Sequence, residues 1–398
     1  QLAFFKYFEF FHGLFESALL YLELDFTLPI ADIIFPIGIS FFTFQGLAYT
    51  LDVYRDRGQL VRNPVHILLF VSFFPTVLSG PIMRAKDFIP RLTRSNYDSQ
   101  ALQTGFALIL SGLFMKVVIA SYLSEYIVRP VFQVPENFSS LAVLAGVYSY
   151  SIQIFCDFAG YSDLAIGLAM LLGYHVPENF KRPYLAANLQ EFWHRWHISF
   201  STWLRDYLYI PLGGNKKGLW RKYLNLMITM VLGGLWHGAH TRFLLWGALH
   251  GLGLVLSHVY ADIRQGRLLF RARPIRKTRP RRKKGPDLLK KIGLWFLTFN
   301  FVSFLWVFFR AEDTGQAFRI LKAVFSVNQP GLGFEFLVIP AILAGLGLQL
   351  FGRYFHEAYL SLQNRLPVPV QGLTVAVICI IIMRLGPEGA LPFIYFQF

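Results

Sequence analysis

The sequence predicts an all-α fold: a polytopic integral membrane helical bundle with re-entrant or broken helices around a central tunnel. Three observations lead there. The 398 residues are 55% hydrophobic, 17% aromatic and only 15% charged, with a mean hydropathy of +0.45, too apolar for a soluble globular chain. Several windows run for at least roughly 18 residues almost without charge, the length that crosses a hydrocarbon core. The runs are long and continuous, whereas a membrane β-barrel would show short alternating segments.

Taken in order, the expected membrane segments are 29–52, 66–83, 101–125, 139–172, 223–241, 243–261, 292–310, 334–352 and 367–384. Segment 66–83 holds Pro75 and a Ser79-Gly80-Pro81 break, with arginines or lysines on both flanks. A full span would place one basic cluster on the wrong side, so a re-entrant pair of half-helices is expected. Segment 139–172 is long enough for one span plus a broken piece. No internal repeat is visible. The chain opens on Gln1 inside apolar sequence, so 1–398 is read as one membrane domain that lacks N-terminal segments.

The formal charge of +15 is concentrated rather than spread. Thirteen Lys and Arg and one acid, Asp287, lie between Arg264 and Lys291, which makes 262–291 a basic cytoplasmic loop between two spans. The expected partner of that charge is anionic membrane lipid, not nucleic acid. Lys216, Lys217, Arg221 and Lys222 precede segment 223–241, so both ends of the 223–261 hairpin are expected on the cytoplasmic side. His237 is the fifteenth residue from Tyr223, about 22 Å along a helix that rises about 1.5 Å per residue. In a core about 30 Å thick it lies past the midplane. An imidazole at that depth is expensive and marks chemistry or a proton or substrate path by default.

A second imidazole, His197, sits in Trp193-His194-Arg195-Trp196-His197-Ile198-Ser199. Trp193, Trp196, Phe200, Trp203 and Tyr207 recur at helical spacing and predict one aromatic face on an amphipathic helix at the membrane interface. On such a helix Asp206 points away from His197, which argues against a His–Asp orienting pair. His240 and His250 are expected to be structural, each satisfied by an interhelical hydrogen bond. His237 and His240 alone cannot make a zinc site, which needs three or four ligands. Cys156 and Cys379 are isolated in apolar runs, so neither a disulfide framework nor a cysteine metal site is expected. Asp157 and Asp163 either line a cavity or make structural hydrogen bonds. There is no phosphate-cradling loop and no dinucleotide fingerprint.

The run from Glu191 to Asn215, with Pro36–Gln45, Asp157–Asp163, Pro177–Phe180, Gly233–Ala239 and the closing Phe393–Phe398, resembles the membrane-bound O-acyltransferase family. More narrowly it is similar to the bacterial branch that contains the alginate O-acetyltransferase membrane subunit. The resemblance implies that His237 is catalytic and that His197 is the second site position. It implies a multi-pass enzyme of the bacterial inner membrane with no tightly bound cofactor and acetyl-CoA, or another acyl-CoA, as donor. The acceptor side would be an extracytoplasmic glycan or a periplasmic or secreted glycan acetyltransferase partner. Alginate-type exopolysaccharide leads, with peptidoglycan and cellulose behind it and D-alanyl transfer to teichoic acid further off. Arg182, Arg205, Lys216 and Lys217 are candidates for the donor's mouth. The alternative from another class is a transporter or export subunit whose histidines relay protons.

Overall fold

In the computed structural model, the described residues are 2–24, 36, 38–55, 60–92, 99–264, 266, 288–326, 333 and 337–387. The basic loop between 266 and 288, the first residues of the 29–52 segment and the closing 393–398 motif therefore lie outside them. Among the described residues every regular element is helical. Six helices are long and apolar enough to cross a membrane.

The order begins with α1 (Leu2–Tyr21) and α2 (Ile39–Tyr54). Next come three short pieces, α3 (Pro64–Val71), α4 (Phe74–Val77) and α5 (Ala85–Phe88). The 66–83 region is thus broken, as its prolines and glycine require. Its longest helix has eight residues, about 12 Å and too short to span. Asn63 starts α3 by accepting the Val65 N–H at 2.9 Å, with Pro64 at the position where a missing N–H costs nothing.

Helix α6 (Ser99–Gln133) and helix α7 (Ser140–Leu171) follow. The latter is one continuous helix of 32 residues, not a span plus a broken piece, because nothing in it interrupts the hydrogen-bond ladder. The two pack through glycines. A Cβ on Gly112 would lie 2.5 Å from the Gly160 carbonyl oxygen, and one on Gly167 would lie 2.6 Å from that of Gly105. Such small-residue seams let membrane helices approach closely. Within α6 the residues Phe114–Ala120 and Ser124–Val128 form π turns, a geometry common at functional sites.

The aromatic stretch is α8 (Leu189–Arg195) and α9 (Ile198–Leu204), and it continues into a π turn over Arg205–Tyr209. It is not the single interfacial helix its spacing predicts. Trp193, Trp196 and Trp203 are all buried, so these indoles belong to the core and not to a headgroup belt. The hairpin α10 (Leu219–His237) and α11 (Thr241–Arg264) comes next. Its crossing point is Gly234 on Gly247: a Cβ on Gly234 would stand 2.3 Å from the Phe243 carbonyl oxygen. At the other end of the hairpin Lys222 Nζ meets Asp262 Oδ2 at 2.5 Å, and the Tyr223 hydroxyl donates to the same oxygen at 3.0 Å. The two basic ends of the hairpin therefore lie together, as the charge pattern predicts.

The chain closes with α12 (Leu288–Arg310), α13 (Thr314–Phe325), α14 (Val338–Gln363) and α15 (Val368–Leu385). The main core gathers α6, α7, α8, α11, α12 and α13 around Tyr150, Phe192, Trp246 and Trp306. A second, smaller core joins α2, α9 and α10 through Phe41, Phe44, Phe200, Trp203 and Trp236.

Candidate active site

His237 is the last residue of α10, where Gly238 turns the chain into extended conformation. It is buried, and aromatic rings wall it: Trp236 and Phe309 at 4.9 Å, Trp246 at 5.3 Å, Phe200 at 5.8 Å and Phe243 at 6.2 Å between centroids. Three elements hold this wall in place. The Arg242 guanidinium donates to the carbonyls of Phe309 (2.8 Å) and Ala311, binding the start of α11 to the C-terminal carbonyls of α12. The Tyr7 hydroxyl of α1 donates to the Leu235 carbonyl at 2.6 Å, in the last turn of α10.

His197 sits at the break between α8 and α9, in left-handed conformation with φ 43°. A non-glycine residue there is held by its surroundings. The clamp is Asn179. Its carbonyl accepts the Ile198 N–H at 2.9 Å, and its side-chain oxygen accepts the Ser199 N–H at 3.2 Å and the Ser199 hydroxyl at 2.9 Å. The Lys181 N–H also donates to the Arg195 carbonyl at 2.9 Å. The break turns the His197 ring inward against Phe158 (4.6 Å) and Phe200 (5.0 Å).

Both histidines therefore touch Phe200 and Trp236. Two shared rings thus link residues forty positions apart in sequence, and the two regions form one aromatic cluster. Asp206 takes no part: it pairs with Arg205 at 2.8 Å and Arg84 at 3.5 Å. His197 Nε2 is buried with no hydrogen-bond partner among the described residues. Burial pushes the His197 imidazole down to about 3 from its ordinary 6.5, so it is neutral at physiological pH, with one donor and one acceptor nitrogen. The unfolded chain accepts a proton near 6.5 that the folded chain refuses. Stability that is full above that pH is consequently lost as pH falls from 6.5 towards 3. Thermal melts across that window should show this decline, and His197→Gln should make it shallower.

Two clefts lie beside the cluster. One, of about 420 Å³, is lined by Ser199 and Thr202 of α9 with Arg84, Arg91, His175 and Glu178. The other, of about 870 Å³, brings Arg182 together with Lys181, Arg195, Arg353 and His356, and Glu178 is common to both. Of the four basic residues expected at a donor's mouth, only Arg182 lines either cleft. Arg205 is occupied by Asp206.

Asp163 lines the larger cleft, while Asp157 makes an ion pair with Lys116 at 2.5 Å. Sequence reasoning did not single out Lys116. The signal was there, because a lysine and an aspartate on apolar helices each need a partner. Asn179 was also missed as the clamp on His197, although it lies in a matched motif. His250 departs from its structural reading. Both of its ring nitrogens are buried without a hydrogen-bond partner among the described residues, a condition that costs about 1–3 kcal/mol per group. No group of three metal-ligating side chains occurs among the described residues.

Two buried imidazoles against shared aromatic rings, with one basic cleft nearby, are groups suited to group-transfer chemistry. Residues 61–267, which contain both histidines, match the membrane-bound O-acyltransferase family. The chain is 35% identical to the probable alginate O-acetylase AlgI of Pseudomonas putida, over 92% of this chain and 76% of that protein. It is 35% identical to the peptidoglycan O-acetyltransferase of Helicobacter pylori, over 82% and 63%. It is 33% identical to the teichoic acid D-alanyltransferase of Bacillus subtilis, over 54% and 57%. The protein belongs to the membrane-bound O-acyltransferase family and is an acyltransferase.

Proposed function

We propose that the protein takes an acetyl group from acetyl-CoA on the cytoplasmic side of the bacterial inner membrane. It passes that group, at His237, to a hydroxyl on the outer side. The acceptor is an extracytoplasmic glycan, with alginate-type exopolysaccharide first and peptidoglycan second, or a periplasmic partner protein that acetylates it. The carrying observation is the shared aromatic cluster. His197 and His237 meet the same two rings.

The acceptor oxygen attacks the thioester carbonyl and forms the new C–O bond. His237 takes the hydroxyl proton as general base and hands it to the departing coenzyme A thiolate as the C–S bond breaks. An acyl-His237 intermediate is the two-step version, in which imidazole nitrogen attacks first and the hydroxyl displaces it. His197, neutral and buried, donates its N–H to the oxyanion of the tetrahedral intermediate. In the larger of the two clefts Lys181 and Arg182 supply positive charge for the donor's phosphates, while Arg195 and Arg353 there already pair with Glu191 and Glu357. The transporter alternative loses ground because family and relatives alike are transferases.

The test is purified protein in detergent with acetyl-CoA labelled in the acetyl group, offered oligomannuronate, muropeptide or cello-oligosaccharide. Label should move to one of them in a His237-dependent manner. Turnover with D-alanyl-carrier donors but none with acetyl-CoA would reassign the acyl group.

A further inference from the structure

Three side chains behind His237 carry buried polar nitrogens with no hydrogen-bond partner among the described residues. They are both ring nitrogens of His250 on α11, Nε1 of Trp246 one turn earlier, and Nε1 of Trp193 on α8. The three rings pack on one another, with centroids 4.8 Å (Trp246–His250), 5.2 Å (Trp193–His250) and 5.8 Å (Trp193–Trp246) apart. Phe192, Phe301 and Trp306 close the remaining sides at 6.0 to 6.4 Å from His250. Nothing in the transfer step described above uses them.

A leucine or phenylalanine at 250 would fill this space without stranding a polar atom of its own. Native folds keep few such groups, and those they keep are met by ordered water or serve a function. Together the cluster offers two indole N–H donors and a neutral imidazole with one donor and one acceptor. Donors outnumber acceptors, so the complementary guest is a small hydrogen-bond-accepting oxygen.

The cluster also reaches the reaction centre. The Trp246 ring stands edge-on to His237 at 5.3 Å, at an interplanar angle of 87°. A guest oxygen that accepts from the Trp246 N–H fixes the indole, and the indole is one of the rings around His237.

We propose that His250, Trp193 and Trp246 form an oxygen-binding niche, and that through it His250 is a positioning residue for His237. The guest is a water or the carbonyl oxygen of the bound acyl group. The inference rests on His237-dependent acyl transfer and adds the residue that orients the site. It also explains why a histidine sits where an apolar side chain would be more stable.

The test couples stability to rate. His250→Leu removes the unmet polar atoms, so its melting temperature should equal or exceed that of the wild type while kcat falls about tenfold or more and KM holds. His250→Gln, which retains a donor and an acceptor, should recover most of kcat. A merely structural histidine gives the opposite result: His250→Leu as fast as the wild type, or rate and stability lost together in both variants. If His250→Leu does not fold, Trp193→Phe removes one N–H from the niche, and unchanged kcat there overturns the proposal.

Cryo-EM of the wild-type protein, alone and with a non-hydrolysable ketone analogue of acetyl-CoA, identifies the guest. An oxygen within hydrogen-bond distance of His250 in both states is water, and its replacement by the analogue's carbonyl makes the niche an acyl site. An empty niche in both contradicts the inference. If the wild type transfers no acyl group from any donor, the acyl-transfer reading fails instead, and the density still decides whether the niche is filled.

Discussion

Replacing His237 with alanine should lower acetyl transfer by about 10²- to 10⁴-fold, the range over which a positioned general base contributes, while acetyl-CoA binding stays unchanged. The separation of the two effects follows from where the residue sits. His237 lies at the end of α10 among Trp236, Phe309 and Trp246, whereas the cationic cleft is built by Lys181, Arg182, Arg195 and Arg353 from other elements. Binding by equilibrium dialysis and turnover with labelled donor measure them independently. His237→Gln is the sharper companion, because it fills the site and can hydrogen-bond but cannot take a proton at neutral pH. Transfer that survives in both variants removes His237 from the chemistry.

The second large effect is on folding. Asp262→Ala should destabilise the protein by about 3–5 kcal/mol, the cost of stranding a buried charge. Lys222 and Asp262 are both buried and lie 2.5 Å apart; with the carboxylate gone, the ammonium stays in a low-dielectric hairpin. The double variant Lys222→Met with Asp262→Leu should recover most of that loss, since two apolar side chains strand nothing. Thermal unfolding in detergent reads both. Equal melting temperatures for the wild type and Asp262→Ala would mean the pair is already hydrated.

The α10–α11 hairpin was legible in the sequence because its signals are local. A nearly chargeless run bounded by Lys216–Lys222 and the basic loop marks the two paired helices, of which α11 is long and apolar enough to cross a membrane. The break in the 66–83 region was legible for the same reason, since Pro75 and Ser79-Gly80-Pro81 act where they stand. The break at His197 was not. Trp193, Trp196, Phe200 and Trp203 satisfy a helical period, and what overrides it is the Asn179 clamp on Ile198 and Ser199, a contact between segments that no periodicity encodes. That break sets His197 against the shared rings.

Helix α13 could have been found. Asp313 accepts the Gln316 N–H at 2.7 Å, and the Gln316 side chain accepts the Glu312 N–H at 2.6 Å, close to a reciprocal cap that an Asp-x-x-Gln pattern announces. Hydropathy windows passed over it because it is amphipathic and only 12 residues long. The Lys116–Asp157 pair stayed hidden because the two charges stand 41 positions apart on different helices. Only the glycine seam between α6 and α7 brings them together.

The central claim is transfer from one face of the membrane to the other through His237. It is tested most directly in proteoliposomes of known orientation. Labelled acetyl-CoA is supplied on the face that bears the 264–291 basic segment, and a hydroxyl acceptor is sealed on the opposite face. The account predicts label on the acceptor, none when donor and acceptor positions are exchanged, and none with His237→Ala. Transfer only between donor and acceptor on the same face, or equal transfer in the alanine variant, would contradict it.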